Sequence, residues 1–184
     1  MGRIEQLAQE YARFVAVPWQ RNLAGPQKCW FVIYDPHDER RLRGRLDLFD
    51  VATTKAGHDW MLCDLTDAFA QWIASEEYRD SYFADPDDLR PVLGDFLAAC
   101  AAKVRAALED VSVRDDSVVA LLGVASLFGF FKVSALVEAV APSIRGRLVV
   151  FFPGEYESGN YRLLDARDGW NYLAVPIRSM KGDA

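Results

Sequence analysis

An α/β domain built on a mainly parallel sheet is the fold class this sequence predicts, and three observations carry it. Short runs rich in β-branched, leucine and aromatic residues recur along the chain, at 30–34, 60–65, 117–122, 147–152 and 172–177. Each has the length of a strand and is bounded by turn residues or charges. Between most of them lie segments with apolar residues at helical spacing. Strands separated by helices require crossover connections, which bring them side by side in parallel. The expected architecture is therefore a Rossmann-like three-layer sandwich of about five strands with helices on both faces. One domain is expected over residues 1–184, with an N-terminal helix over 1–17 and a sheet core over 29–177.

The elements follow in order. Ile4, Leu7, Ala8, Tyr11, Phe14 and Val15 recur at the spacing of one helix face, so the opening segment reads as a helix and not as a leader with a charged start and an apolar block. Pro18, Gly25 and Pro26 end it. The run 30–34, closed by Asp35 and Pro36, has the continuous apolar character of a central strand buried on both faces. Leu42, Leu46 and Phe49 then mark a single amphipathic helix over 38–56 that stops near Gly57. A second strand covers 60–65, and Thr66 is the expected N-cap of a helix through Phe69, Trp72 and Ile73. Pro86, among Asp85, Asp87 and Asp88, opens a long alanine-rich helix to about residue 110. The third strand covers 117–122 and is followed by a helix over 133–140 stopped by Pro142. The fourth strand covers 147–152, a short strand is expected over 161–164, and the fifth covers 172–177.

Composition bounds the chemistry. The chain has 184 residues, 51% hydrophobic and 26% charged, with a formal net charge of -6. A chain of this size removes roughly 70% of its unfolded surface from water and needs no disulfide or structural metal. Only His37 and His58 supply imidazoles, which excludes a multi-histidine metal cage. Cys29, Cys63 and Cys100 are odd in number and far apart, which fits a reducing cytoplasm better than a secreted disulfide framework. The acidic balance argues against sequence-independent nucleic-acid binding. The longest apolar run, 118–131, is shorter than the about 20 residues of a membrane span and is interrupted by glycines.

Candidate sites sit where the strands end, because ligands of such sheets gather at the carboxyl ends. The segment 123–134 lies between a strand and a helix, but it lacks the GxxxxGK[ST] spacing of a phosphate loop; its glycines then serve close packing, with Phe128, Phe130 and Phe131 filling core. Asp35, Asp64 and Glu155 each follow a strand and are of the type that holds Mg²⁺, although Asp equally caps helices and shapes turns. The cluster Asp35-Pro-His-Asp38 pairs an imidazole with carboxylates without a nucleophile in recognisable context, which suits a surface helix cap. Arg40, Arg41, Arg43 and Arg45 form a dense basic face, either solvated or in contact with an acidic partner. The stretch 153–172 combines glycines, aromatics and paired charges. It reads as a long shaped loop, either braced internally or binding a partner through Glu155, Tyr156, Tyr161, Arg162, Asp168 and Trp170.

Four segments carry a family resemblance: Trp30-Phe-Val-Ile-Tyr-Asp-Pro36, Val119-Ala-Leu-Leu-Gly-Val-Ala-Ser-Leu-Phe-Gly129, Arg147-Leu-Val-Val-Phe-Phe-Pro-Gly154, and above all Phe151-Phe-Pro-Gly-Glu-Tyr-Glu157 continued by Asn160-Tyr-Arg-Leu-Leu-Asp-Ala-Arg-Asp-Gly-Trp-Asn-Tyr-Leu-Ala-Val-Pro176. Together they resemble the BrxB family of BREX bacteriophage-exclusion systems over nearly the whole chain. The resemblance implies a small cytoplasmic defence component acting beside an AAA+ ATPase, a DNA adenine methyltransferase and the alkaline-phosphatase-like PglZ, with PglZ first among the direct contacts. It transfers no active-site residue. The expectation is a non-catalytic adaptor without cofactor or metal, which binds another BREX protein. The competing expectation is a degenerate nucleotide-binding or Mg²⁺-dependent enzyme working at the strand-end rim.

Overall fold

The structure, a computed structural model, describes residues 2–164, 166–170 and 173–179, with the backbone alone for 168–170. Five strands form a parallel sheet in the order β2-β3-β4-β1-β7: β1 (Cys29–Tyr34), β2 (Asp59–Asp64), β3 (Ser117–Leu122), β4 (Arg147–Glu157) and β7 (Val175–Ile177). Two more strands, β5 (Asn160–Leu163) and β6 (Ala166–Trp170), add an antiparallel extension to the far half of β4, so the sheet as a whole is mixed. No helix among the described residues is long and apolar enough to cross a membrane.

Alternation along the strands creates two cores. Cys29, Phe31 and Ile33 of β1, with Leu148, Val150 and Phe152 of β4, belong to one cluster, while Trp30, Val32, Tyr34, Val149 and Phe151 belong to the other. The first is completed by α4 (Ala68–Ser75), α5 (Arg79–Ala84), α6 (Leu93–Leu108) and α7 (Val133–Val140). The second is covered by α1 (Arg3–Val15), α2 (Glu39–Arg43) and α3 (Leu46–Lys55). Within it the buried Tyr11 hydroxyl meets Thr53 Oγ1 at 2.6 Å, and Thr53 donates to the Phe49 carbonyl, so neither hydroxyl is left unpaired where water is absent.

Five expectations are corrected. The single helix over 38–56 is two, because Gly44 closes α2 and Arg45 stands at φ -134 outside helical geometry. Glycine costs about 1 kcal/mol in a helix interior, and the apolar stripe is too sparse there to outweigh it. The helix opened by Pro86 starts as a 3-10 segment, Pro86–Val92, and α6 begins only after Pro91, whose ring lacks an N–H and crowds the preceding turn. Thr66 does not cap α4, which starts beyond Asp67; its side chain turns toward Asp64 instead. The shaped loop over 153–172 is mostly strand: β4 runs on to Glu157, and Ser158 and Gly159, at φ 49 and 82, make the two-residue turn into β5. Positive φ at both central residues is the turn geometry that matches strand twist. The fifth strand is shortened to Val175–Ile177, and Tyr172 lies outside the described residues.

Candidate functional site

At the carboxyl end of the parallel sheet, β1 and β4 finish side by side, with Tyr34 opposite Pro153. The chain leaves β1 into α2, which carries Arg40, Arg41 and Arg43, and β4 continues past Pro153 into the antiparallel extension. Topology thus brings the two surfaces singled out from sequence to one end of the molecule. Between them lies a groove of about 360 Å³ bounded by Pro36, Ala125, Pro153 and Leu164 on its apolar walls and by Glu39, Arg43, Thr66 and Ser126 on its polar ones.

A hydrogen-bonded chain underlies this groove. The Tyr34 hydroxyl donates to one oxygen of Glu39, and Arg43 Nε donates to the other at 2.7 Å. The Arg43 guanidinium also reaches Thr66 Oγ1 at 2.9 Å and Asp64 Oδ2 at 3.4 Å, while the Thr66 N–H and hydroxyl both donate to Asp64 Oδ1. Partial burial pulls the Arg43 guanidinium down, but Glu39 and Asp64 outweigh it and hold its pKa above the usual value. Burial likewise opposes ionisation of Asp64, yet Thr66 and Arg43 keep its carboxyl below the usual range. Lys103 donates to the Asp64 carbonyl at 2.8 Å, and Ser126 Oγ to the Leu65 carbonyl at 2.9 Å. Glu39 and Asp64 share the Arg43 guanidinium, so the chain braces the mouth of the groove.

The four arginines do not act as one patch. Arg41 pairs with the buried Asp38 at 3.1 Å, Arg43 belongs to the chain just described, and Arg45 reaches Glu5 at 3.4 Å. Arg40 is exposed and, among the described residues, has no ion pair. In the extension Glu155 and Arg162 are exposed and face one another across β4 and β5. Tyr156 is half-buried, with Arg178 over its ring at 5.7 Å. Tyr161 is removed from the contact surface: it is 1% exposed, its ring centroid is 4.8 Å from that of Phe31, and its hydroxyl donates to the Ala174 carbonyl at 2.8 Å. Asp168 and Trp170 lie on β6, and their side chains fall outside the described residues.

The carboxylates flagged for Mg²⁺ are dispersed. Asp35 accepts from the His37 N–H and ring and pairs with Arg3, Asp64 is held by Arg43 and Thr66, and Glu155 stands out on the extension. No group of three metal-type side chains converges among the described residues. His37 is exposed, and the cap of its short 3-10 turn is Asp35, whose carboxylate accepts from the His37 N–H. Of the phenylalanines expected to fill core, Phe130 and Phe131 pack against Phe96, whereas Phe128 is 40% exposed and Val124 and Leu127 take the buried places. Sequence reading missed Glu39 and Thr66 as partners of Arg43, and Tyr34 as the donor to Glu39. The Glu39 to Arg43 spacing of four was the available signal.

Two predictions arise here. Cys29, Cys63 and Cys100 are all free and buried, and burial pushes each thiol up, that of Cys100 to about 11. Thiolate is the reactive form. A disulfide exchange reagent at pH 8 is expected to react with none of them in the native protein and with all three in urea. Asp35 and Asp64 carry lowered pKa values, so the folded state binds fewer protons than the unfolded one on the acid side. Their contribution is complete above the ordinary carboxylate range near about 4 and is lost as pH falls through it. Urea midpoints are therefore expected to drop below about pH 4, and Asp64→Asn to flatten that fall.

Comparison with family models, curated proteins and solved structures finds no match to this chain.

Proposed function

We propose that this protein is a non-catalytic adaptor of a BREX bacteriophage-exclusion system, a Rossmann-like three-layer domain working in the cytoplasm and binding PglZ directly, with the AAA+ ATPase and the adenine methyltransferase as further assembly partners. The observation that carries the reading is the placement of the arginine helix and the β4–β5–β6 extension on opposite sides of one groove. Beyond its apolar walls, α2 carries exposed Arg40 and Arg41 and the extension carries exposed Glu155 and Arg162, charges of both signs on the two flanking elements. Protein interfaces are built in this way, with an apolar centre and a polar rim. The groove's own polar groups are already bonded to one another, so a docked side chain need satisfy none of them. The four segments that resemble the BrxB family include both strands that flank the groove, β1 and β4. A net charge of -6 disfavours the DNA backbone as a competitor for this face.

Co-expression of the tagged chain with the three BREX components tests the proposal. PglZ is expected to co-purify through a wash at physiological salt. Recovery of the chain alone, by pull-down and by gel filtration, contradicts it.

A further inference from the structure

The opposite end of the sheet holds a second cavity that the groove does not use. Its walls come from the amino ends of four neighbouring strands: Lys28 precedes β1, His58 precedes β2, Asp116 precedes β3, and Arg147 opens β4. Trp19, Gln20 and Arg21, from the segment after α1, and Arg145 close the remaining sides of about 300 Å³. A contiguous depression carries Arg114 and Asp115 beside Arg21 and Arg145.

Arg147 is the unusual member. It is 4% exposed, and its guanidinium lies 4.8 Å from the Trp19 ring centroid and 5.5 Å from that of Trp30. It donates to the Gly146 and Gln20 carbonyls, but among the described residues no carboxylate pairs with it and its Nε has no hydrogen-bond partner. A buried charge without a counter-ion is costly. Burial holds its pKa below the usual arginine value. The neighbouring cations repeat the pattern. Lys28 is spent on the carbonyls of Ile144 and Arg145, and Arg145 on those of Leu108 and Asp110. Arg21 has no ion pair among the described residues. The acids lining the cavity do not balance them: Asp116 is shared with Arg114, at 3.4 Å, which among the described lining residues leaves Asp115, while Asp110 lies near Arg145 outside the lining. In a chain of net charge -6, a cavity lined by four cations, three of which face carbonyls or rings, is a local reversal of sign. Trp19 is fixed in place, stacked on His58 at 3.7 Å and donating to the Val15 carbonyl, so the wall is rigid before any ligand arrives.

We propose that this cavity binds a phosphate-class oxyanion, either free phosphate or the phosphate group of a monoester such as a mononucleotide. Arginine guanidinium groups match the fork of phosphate oxygens, and the volume lies at the small-ligand end of ordinary binding sites. The site is independent of the groove at the carboxyl end and of the adaptor reading.

The test is isothermal titration of the full chain with inorganic phosphate and, separately, with AMP, at ionic strength fixed with sodium chloride. Phosphate is expected to bind, and the double variant Arg21→Gln/Arg145→Gln, which alters two exposed side chains and spares Arg147, is expected to weaken binding at least tenfold while still unfolding cooperatively in urea, its midpoint lowered only by loss of the Arg145 bonds to the Leu108 and Asp110 carbonyls. Arg90→Gln, an exposed arginine of the 3-10 segment, is expected to leave it unchanged. Tighter binding of AMP than of phosphate assigns the site to a monoester, and equal binding assigns it to the free anion. Absence of heat for both ligands overturns the proposal, as does equal weakening in Arg90→Gln and the double variant.

Discussion

Tyr161→Ala is expected to lower folding stability by about 3–5 kcal/mol, the cost of deleting a fully buried aromatic ring. The ring sits among Phe31, Phe152 and Tyr156, at centroid distances of 4.8, 5.8 and 4.7 Å, and ties the extension to the main core. Its hydroxyl supplies the hydrogen bond to the Ala174 carbonyl, at the entry to β7. Tyr161→Phe keeps the packing and leaves that carbonyl without its donor, which is expected to cost about 1–3 kcal/mol. Ordinary domains have only about 5–15 kcal/mol in total, so the alanine variant approaches the limit of foldability. Urea denaturation separates the two, since the midpoint should fall by more than 1 M in alanine and by a smaller step in phenylalanine, at about 1–3 kcal/mol per molar urea. An unchanged midpoint in Tyr161→Ala would mean that the extension is not packed on β1 as described.

Gly123→Ala is expected to cost about 2–4 kcal/mol for two reasons that act together. The residue has φ 81, which alanine adopts only with strain, and an added Cβ would lie 2.5 Å from Thr66 Oγ1 and 2.6 Å from the Thr66 nitrogen. Room for that methyl requires Thr66 to move, and Thr66 holds Asp64 and Arg43. The substitution therefore loosens the groove mouth as well as the fold. Adding Thr66→Ala removes one of the two clashes, so the double variant should lose less than the sum of the single losses, a coupling that a double-mutant cycle measures. Strict additivity would show that backbone strain alone sets the cost.

How far these features can be read from sequence depends on the range of the interactions that make them. β1 and β3 are continuous apolar runs, and α7 lies between a glycine-rich turn and Pro142, so local pattern alone places them. The extension was hidden because Glu155, Arg162 and Arg167 make its strands polar on one side, and such alternation between glycines resembles a loop until pairing partners are known. The break at Gly44 was hidden by arginines that look equally helical on either side of it. Arg40, Arg41, Arg43 and Arg45 formed one feature in sequence. In the fold Arg41, Arg43 and Arg45 have separate surroundings, because the adjacent Asp38 and Glu39, Asp64 and Glu5 come from three places in the chain. Arg147 and Trp19 illustrate the limit: nothing local marks a guanidinium that will be enclosed by a ring 128 positions away.

The central claim is that the face between α2 and the extension binds a protein partner. Its most direct test is the affinity of the purified chain for PglZ, measured by isothermal titration for the native protein and for Arg40→Glu/Glu155→Lys, a pair of exposed changes that conserves net charge. The account predicts saturable binding that weakens at least tenfold, about 1.4 kcal/mol, in the variant while its urea midpoint stays unchanged. Absence of binding, or equal affinity in the two proteins, would contradict it.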